Sequence, residues 1–268
     1  MTDTLAAAEA AVRSGDPQGA LALLTTAVKA QPNKPALRVF MVQLLCVLGQ
    51  WERAHTQLNV VAEMNPDAGP MREMVGHALR CEKIRAAVFA GRRSPMVFGQ
   101  PDEWLALLIE SLLSQGDPAQ AASLAGRAFD AAPASSGLID GEPFEWIADA
   151  DSRLGPVLEA MVNGRYYWVP FSRLSRVALE PAVDLRDRVW LPATLTFANG
   201  GESIAMLPVR YAGSEASEDG AIRMAASTTW TDIGDDRFAG LGERVLVTDQ
   251  GERGLLDVHL IEFNEAAA

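Results

Sequence analysis

Gly15-Asp16-Pro17-Gln18-Gly19-Ala20 recurs as Gly49-Gln50-Trp51-Glu52-Arg53-Ala54 and again as Gly116-Asp117-Pro118-Ala119-Gln120-Ala121. The glycines stand 34 and then 67 residues apart, and the alanines keep those intervals. So do Pro32, Pro66 and Pro133, each closing its unit. A period of 34 is the tetratricopeptide length, and the longer interval leaves space for one degenerate unit.

Each anchor has a physical role in a helix–turn–helix unit. The glycines can take the left-handed conformation that ends a first helix. Pro17 and Pro118 are tolerated in the first turn of the second helix. Ala20, Ala54 and Ala121 are small where two helices must approach, and the later prolines stop the second helix because they lack an amide hydrogen. Apolar residues between the anchors fall at helical spacing, as in Leu21, Leu24 and Val28 or Leu105, Leu108 and Leu112. The middle unit, 68–100, lacks the anchors; Met71 to Ala90 reads there as one long helix. Trp51, in an inter-helix turn, is expected to pack on the next unit.

The texture changes after Pro133. Ala134 to Gly137 reads as a short linker, which divides the chain into a repeat domain over 1–136 and an α+β domain with a mainly antiparallel sheet over 137–268. A linker of four residues predicts a rigid pair of domains. Asp149 to Gly164 reads as a helix with an acidic start and an Asn-Gly stop. Tyr166 to Val169 reads as a strand. Val189–Phe197 and Ser203–Val209 flank Asn199-Gly200, a strong hairpin signal. Arg244–Thr248 and Leu255–Phe263 flank Asp249-Gln250-Gly251 as a second hairpin, and Thr228–Ile233 is a weaker strand.

Charge and composition exclude several classes. The 268 residues carry 23 Lys+Arg and 35 Asp+Glu, a net of −12, which argues against phosphate-backbone binding. The acidity is concentrated: residues 1–136 hold 12 basic and 13 acidic groups (net −1), residues 137–268 hold 11 and 22 (net −11). That half should attract basic segments, with Glu215, Glu218, Asp219, Asp235 and Asp236 expected as exposed loop charges. The longest charge-free runs have 13 residues, too few for a bilayer-spanning helix. The N-terminus has no basic region before an apolar run, so no signal peptide is expected. Cys46 and Cys81 read as buried thiols in a reducing compartment, and the expected location is the cytoplasm.

Enzyme signatures fail. His55, His77 and His259 have no metal-ligand spacing. No GxSxG, Walker A or helix-opening GxGxxG is present. No catalytic residue, metal or cofactor is therefore expected. Asp149 and Asp151 could serve as an acid–base pair of a small ligand-binding or hydrolytic domain, but a helix cap is the plainer reading. Tyr166, Tyr167, Trp168 and Phe171 read as packing rather than a ligand platform. Arg153, Arg165, Arg173, Arg176, Arg186 and Arg188 read as ion-pair partners of nearby carboxylates.

The run Asp149 to Phe171 (DADSRLGPVLEAMVNGRYYWVPF) resembles the signature of the ImpE family, also called SciE or TagJ. Asp184-Leu-Arg-Asp187, Val189-Trp-Leu-Pro192, Ala198-Asn-Gly-Gly-Glu202, Arg210-Tyr211, Gly240-Leu-Gly242 and Leu255-Leu-Asp-Val258 extend the likeness. The resemblance implies an accessory adaptor of bacterial type VI secretion. Its partners would be the N-terminal helix of the small sheath subunit and the ClpV-type AAA+ ATPase that recycles contracted sheath. It implies no catalytic residues. Stacked helix pairs form a concave groove for an amphipathic helix. The first helix of each unit would line it with Leu5, Glu9 and Val12, with Val39, Gln43 and Cys46, and with Glu103, Ala106 and Glu110.

Overall fold

Each glycine-to-proline unit folds into a pair of packed helices in the computed structural model, which describes residues 2–264. The pairs are α1 (Thr2–Arg13) with α2 (Pro17–Ala30), α3 (Pro35–Val47) with α4 (Trp51–Met64), and, after a single long α5 (Gly69–Phe89), α6 (Glu103–Leu113) with α7 (Pro118–Ala131). Gly15 (φ 84°) and Gly49 (φ 65°) are left-handed where α1 and α3 end. Gly116 is not: α6 closes with the Ser114 amide shared between the Glu110 and Ser111 carbonyls, so no left-handed residue is required there. Asp16 and Asp117 accept from the amides of Gly19 (2.7 Å) and Gln120 (3.1 Å), with proline at the next position, so α2 and α7 start alike. Ala20 and Ala54 have no exposed surface, and Ala121 is nearly as buried.

The second half is built on a nine-stranded sheet. The strands are β1 (Met96–Val97), β2 (Gly137–Ile139), β3 (Glu142–Phe144), β4 (Ile147–Asp149), β5 (Val157–Val162), β6 (Arg165–Pro170), β7 (Leu174–Leu179), β8 (Trp190–Phe197), β9 (Glu202–Pro208), β10 (Thr228–Asp232), β11 (Phe238–Gly242), β12 (Val245–Thr248), β13 (Gly251–Gly254) and β14 (Leu260–Phe263). The large sheet runs β1-β6-β5-β9-β8-β7-β14-β2-β3, antiparallel except for β1 on β6. Two small sheets, β10-β11 and β13-β12-β4, complete the domain.

The sheet is buried on both faces at β5 and β6. Leu158, Ala160, Val162 and Val169 pack with Leu191, Ala193, Leu195 and Leu207 in one core. The alternate residues Val157, Met161, Tyr166, Trp168, Trp190 and Met206 join the core of the repeats. The aromatic run therefore splits: Tyr166 and Trp168 face the helices, while Tyr167 stacks on Phe98 at 4.2 Å between centroids.

Two expectations are corrected. Asp149 to Gly164 is no helix but the end of β4, a turn and β5. A strand buried on both sides shows a continuous apolar run instead of alternation, and its Asn163-Gly164 is the β5–β6 turn. The Asn199-Gly200 hairpin forms as β8–β9, but the second predicted hairpin closes differently. There β12 pairs with β13, while Leu260–Phe263 leaves to pair with β7 and β2. Trp51 lies beside Leu79 and Arg80 of α5, and its ring also stands 5.9 Å from that of Trp190 on the sheet.

The sheet domain occupies much of the repeat surface. α3 packs on the 3₁₀ turn Leu185–Arg188. The loop carrying the four-residue helix α8 (Gly220–Arg223) lies on the turns between paired helices. A β-carbon at Gly220 would overlap the Gly15 carbonyl oxygen, and one at Gly49 would meet the Glu215 side chain. Glu215 is thus half-buried against the repeats, unlike the exposed Glu218, Asp219, Asp235 and Asp236.

Candidate partner-binding surfaces

A buried polar network joins helices to sheet. Arg85 of α5 donates to both oxygens of Glu159 (2.6 and 2.9 Å) and to the Arg210 carbonyl (2.6 Å), with Glu82 at 3.6 Å. Tyr166 donates to Glu159 at 2.5 Å and receives the Trp168 indole N–H. Trp190 donates to Glu82 at 2.7 Å, and Arg210 reaches back to the carbonyls of Val47 (2.7 Å) and Arg223. Burial works to raise the Glu159 carboxyl, but Arg85, Arg244 and the tyrosine hydroxyl outweigh it and hold the group below the usual range. Glu82 moves the other way because burial exceeds its attraction to Arg85. Every carboxylate here has a partner and no face to solvent, which is structural use of charge.

Asp149 and Asp151 belong to the same kind of arrangement, and neither caps a helix. Asp149 accepts two bonds from Arg244 (2.9 and 2.6 Å), one from Tyr211 (3.0 Å) and one from the Asp151 amide (2.9 Å). Asp151 takes the Gly240 amide at 3.0 Å and the Arg153 guanidinium. Both are buried, at 3% and 0% exposure, so no substrate reaches them. Burial pushes Asp149 up to about 6, with Arg244 opposing it. Fixed by these donors, the pair offers no support for an acid–base site.

Other positions sort as follows. Among the described residues no cluster of three His, Cys, Asp or Glu is arranged to hold a metal, and no helix is long and apolar enough to cross a membrane. Cys46 and Cys81 are buried free thiols, both pushed up to about 12 by burial. Arg153, Arg173 and Arg186 make ion pairs, Arg173 with Asp102 at 2.9 Å across the domains. Among the described residues Arg165, Arg176 and Arg188 make none within 4 Å.

The nine positions expected to line a groove do not form one surface. Leu5, Val12 and Val39 are half-buried against the repeat core and Gln43 is half-buried, while Glu9 is exposed. Cys46 has no exposure, and its carbonyl accepts from Arg210 at 3.3 Å, so it offers nothing to a partner. Glu103, Ala106 and Glu110 lie exposed along one side of α6.

A crevice that residue patterns did not reveal opens between the last helices and the β10–β11 hairpin. Its volume is about 300 Å³. Phe89, Leu108, Leu112 and Ala121 form the helical wall, Ile233 and Ala239 the hairpin wall. Two guanidiniums stand at it. Arg153 lies over the Phe89 ring at 4.9 Å, tied to Asp151, and Arg237 makes one bond, to the Gly234 carbonyl at 3.3 Å. The site thus combines an apolar floor with cationic edges. Its walls are separated by more than a hundred residues of chain, which is why local pattern carried no sign of it.

The comparisons agree with this two-part build. Residues 141–262 match the family described as ImpE protein, and residues 11–75 match a tetratricopeptide repeat family. The crystal structure of protein VPA1032 from Vibrio parahaemolyticus superposes with a TM-score of 0.88 at 26% identity, covering 97% of this chain and 98% of that one. The type VI secretion system accessory component TagJ of Pseudomonas aeruginosa is 47% identical over 263 residues, 97% of this chain and 92% of the relative. At that identity and coverage, the chain belongs to the ImpE family, together with the accessory component TagJ.

Proposed function

We propose that this chain is a non-enzymatic adaptor of a type VI secretion system, acting in the cytoplasm. In this reading it binds the N-terminal helix of the small sheath subunit and brings it to the ClpV-type ATPase. The observation that supports it best is the crevice at Phe89, Leu112 and Ile233: it matches the apolar face of an amphipathic helix, and Arg237 suits an acidic residue one turn away. The exposed side of α6, with Glu103, Ala106 and Glu110, is a second surface for the same helix. The positions on α1 and α3 contribute only where they remain uncovered.

Calorimetric titration with the sheath subunit's N-terminal peptide tests the reading. Binding should be detectable below about 100 μM, the range expected of a short helix in a groove. Ile233→Asp and Arg237→Glu should weaken it about tenfold, whereas Glu103→Lys with Glu110→Lys should do so only if α6 is the seat. No heat at that concentration refutes the peptide-binding reading.

A further inference from the structure

We propose that the groove between α4 and α5 binds an acidic segment of a partner protein, at a surface separate from the crevice. Two adjoining concavities lie along the two helices. One part, about 570 Å³, lies between His55 and Asn59 of α4 and Arg72, His77 and Arg80 of α5. The next, about 220 Å³, shares His55 and Arg80 and extends to Lys83. On α5 this runs from Gly69 to Lys83, on the order of 20 Å at 1.5 Å per residue. That length fits three to four turns of a bound helix, or about six extended residues.

Charge selects the occupant. The charged residues lining the groove are Arg72, Arg80 and Lys83 against Glu52 and Glu73, a net of +1 in a protein of net −12. Lys83 pairs with Glu52, which leaves Arg72 and Arg80 against the exposed Glu73, while Glu82 and Arg85 of the same helix are consumed in the buried network. Arg72 and Arg80 are different: both are exposed, and among the described residues neither makes a hydrogen bond or ion pair. Arg153, Arg173, Arg186 and Arg253 find carboxylates on the protein itself, and the arginines that, like Arg92, Arg93, Arg165 and Arg176, make no ion pair among the described residues lie outside this groove. Two unmatched guanidiniums on one wall of a concave groove are complementary to carboxylates spaced along a partner segment. His77 on the same wall and His55 on the facing α4 add ring nitrogens to the groove. The floor is shallow in side chains, because Gly76 is buried there without a β-carbon.

The test uses the full chain and a fluorescein-labelled peptide of about twelve residues, rich in glutamate with leucine at helical spacing. Fluorescence anisotropy at low salt should give binding in the ten-micromolar range, weakening as salt rises. Arg72→Glu with Arg80→Glu should weaken it at least about tenfold, and Arg72→Lys with Arg80→Lys should retain most of it. Because neither arginine has a partner among the described residues, the melting temperature should not move. Arg92→Glu with Arg93→Glu makes the same charge change off the groove and should matter less than about threefold. Ile233→Asp should leave this binding intact, so failure here and failure of the crevice reading are separable. The proposal is overturned by no binding at about 200 μM, or by equal loss in the Arg92/Arg93 variant. Displacement by free glutamate or phosphate at matched ionic strength overturns it too, since the site would then hold only small anions. So does self-association abolished by the Arg72/Arg80 change, which would make a second copy's acidic half the occupant.

Discussion

Replacing Arg85 by methionine should be among the most damaging single changes in this protein, and the structure says by how much. The side chain is 3% exposed and makes three hydrogen bonds, two to Glu159 and one to the Arg210 carbonyl. Methionine keeps much of the volume but strands Glu159, which has no exposure, with the Tyr166 hydroxyl and Arg244 at 3.6 Å as its remaining support. Glu82 loses its cation as well. Removing one partner of a buried pair typically costs about 3–5 kcal/mol, because the other charge is left unpaired. Against a total of about 5–15 kcal/mol that is severe. At about 2–4 °C per kcal/mol for a chain of this size, the melting temperature should fall by roughly 6–20 °C.

The same reasoning says the loss is recoverable. Arg85→Met with Glu159→Gln removes both charges while leaving an acceptor for Tyr166. The double variant should regain at least about 2 kcal/mol over Arg85→Met alone. Denaturant melts followed by circular dichroism, with all four members of the cycle, give the coupling directly. A loss below about 1 kcal/mol for Arg85→Met, or strictly additive losses, would refute the claim that charge pairing and not packing makes this position critical.

Three further outcomes are expected. Glu159 is held below the ordinary carboxylate range, so the stability it supplies is full above the unfolded value near pH 4.3 and lost as pH falls through the folded value; the stability gap between wild type and Glu159→Gln should be widest near neutrality and shrink below about pH 4 in urea melts. Gly220→Ala forces the α8 loop off the Gly15 turn and should cost about 1–3 kcal/mol by thermal melting, whereas Gly200→Ala, with open space around it, should show only the strain of its left-handed backbone. Cys46 and Cys81 should react with a thiol reagent only on unfolding, since both are buried with thiols near 12; fast labelling of the native protein at pH 8 would contradict that placement.

The helical half was legible because its determinants are local. Asp16-Pro17 and Asp117-Pro118 carry their cap and first turn within three residues, and the prolines end each helix without help from elsewhere. The sheet half was legible only where a turn declared itself, as at Asn199-Gly200. Between Asp149 and Gly164 local signals pointed the wrong way. A strand covered on both faces has no alternation to read, and Glu159 in its middle looks like an exposed helical position until Arg85, 74 residues earlier, supplies its partner. The family signature survived that error, since a likeness of residues does not depend on assigning them a helix or a strand.

The same long-range pairing decides where partners can bind. In a free-standing repeat array the inner helices present a concave face, and α1 and α3 would be the natural place to seek a helical ligand. Here the 3₁₀ turn Leu185–Arg188 packs on α3, Arg210 satisfies the carbonyls of Cys46 and Val47, and the α8 loop lies on the Gly15 and Gly49 turns. Displacing them would expose Arg85, Glu82 and Glu159 together, at a cost no short peptide could meet. Binding must therefore use surface that the sheet domain leaves free or itself creates. The crevice beside the β10–β11 hairpin is of the second kind, since it exists only because the two halves are locked together. The α4–α5 groove is of the first. α5 touches both, with Phe89 at one end and Arg72 and Arg80 toward the other. The degenerate central helix, which lost the repeat anchors, is the element that ties the halves through Arg85 and connects the two surfaces.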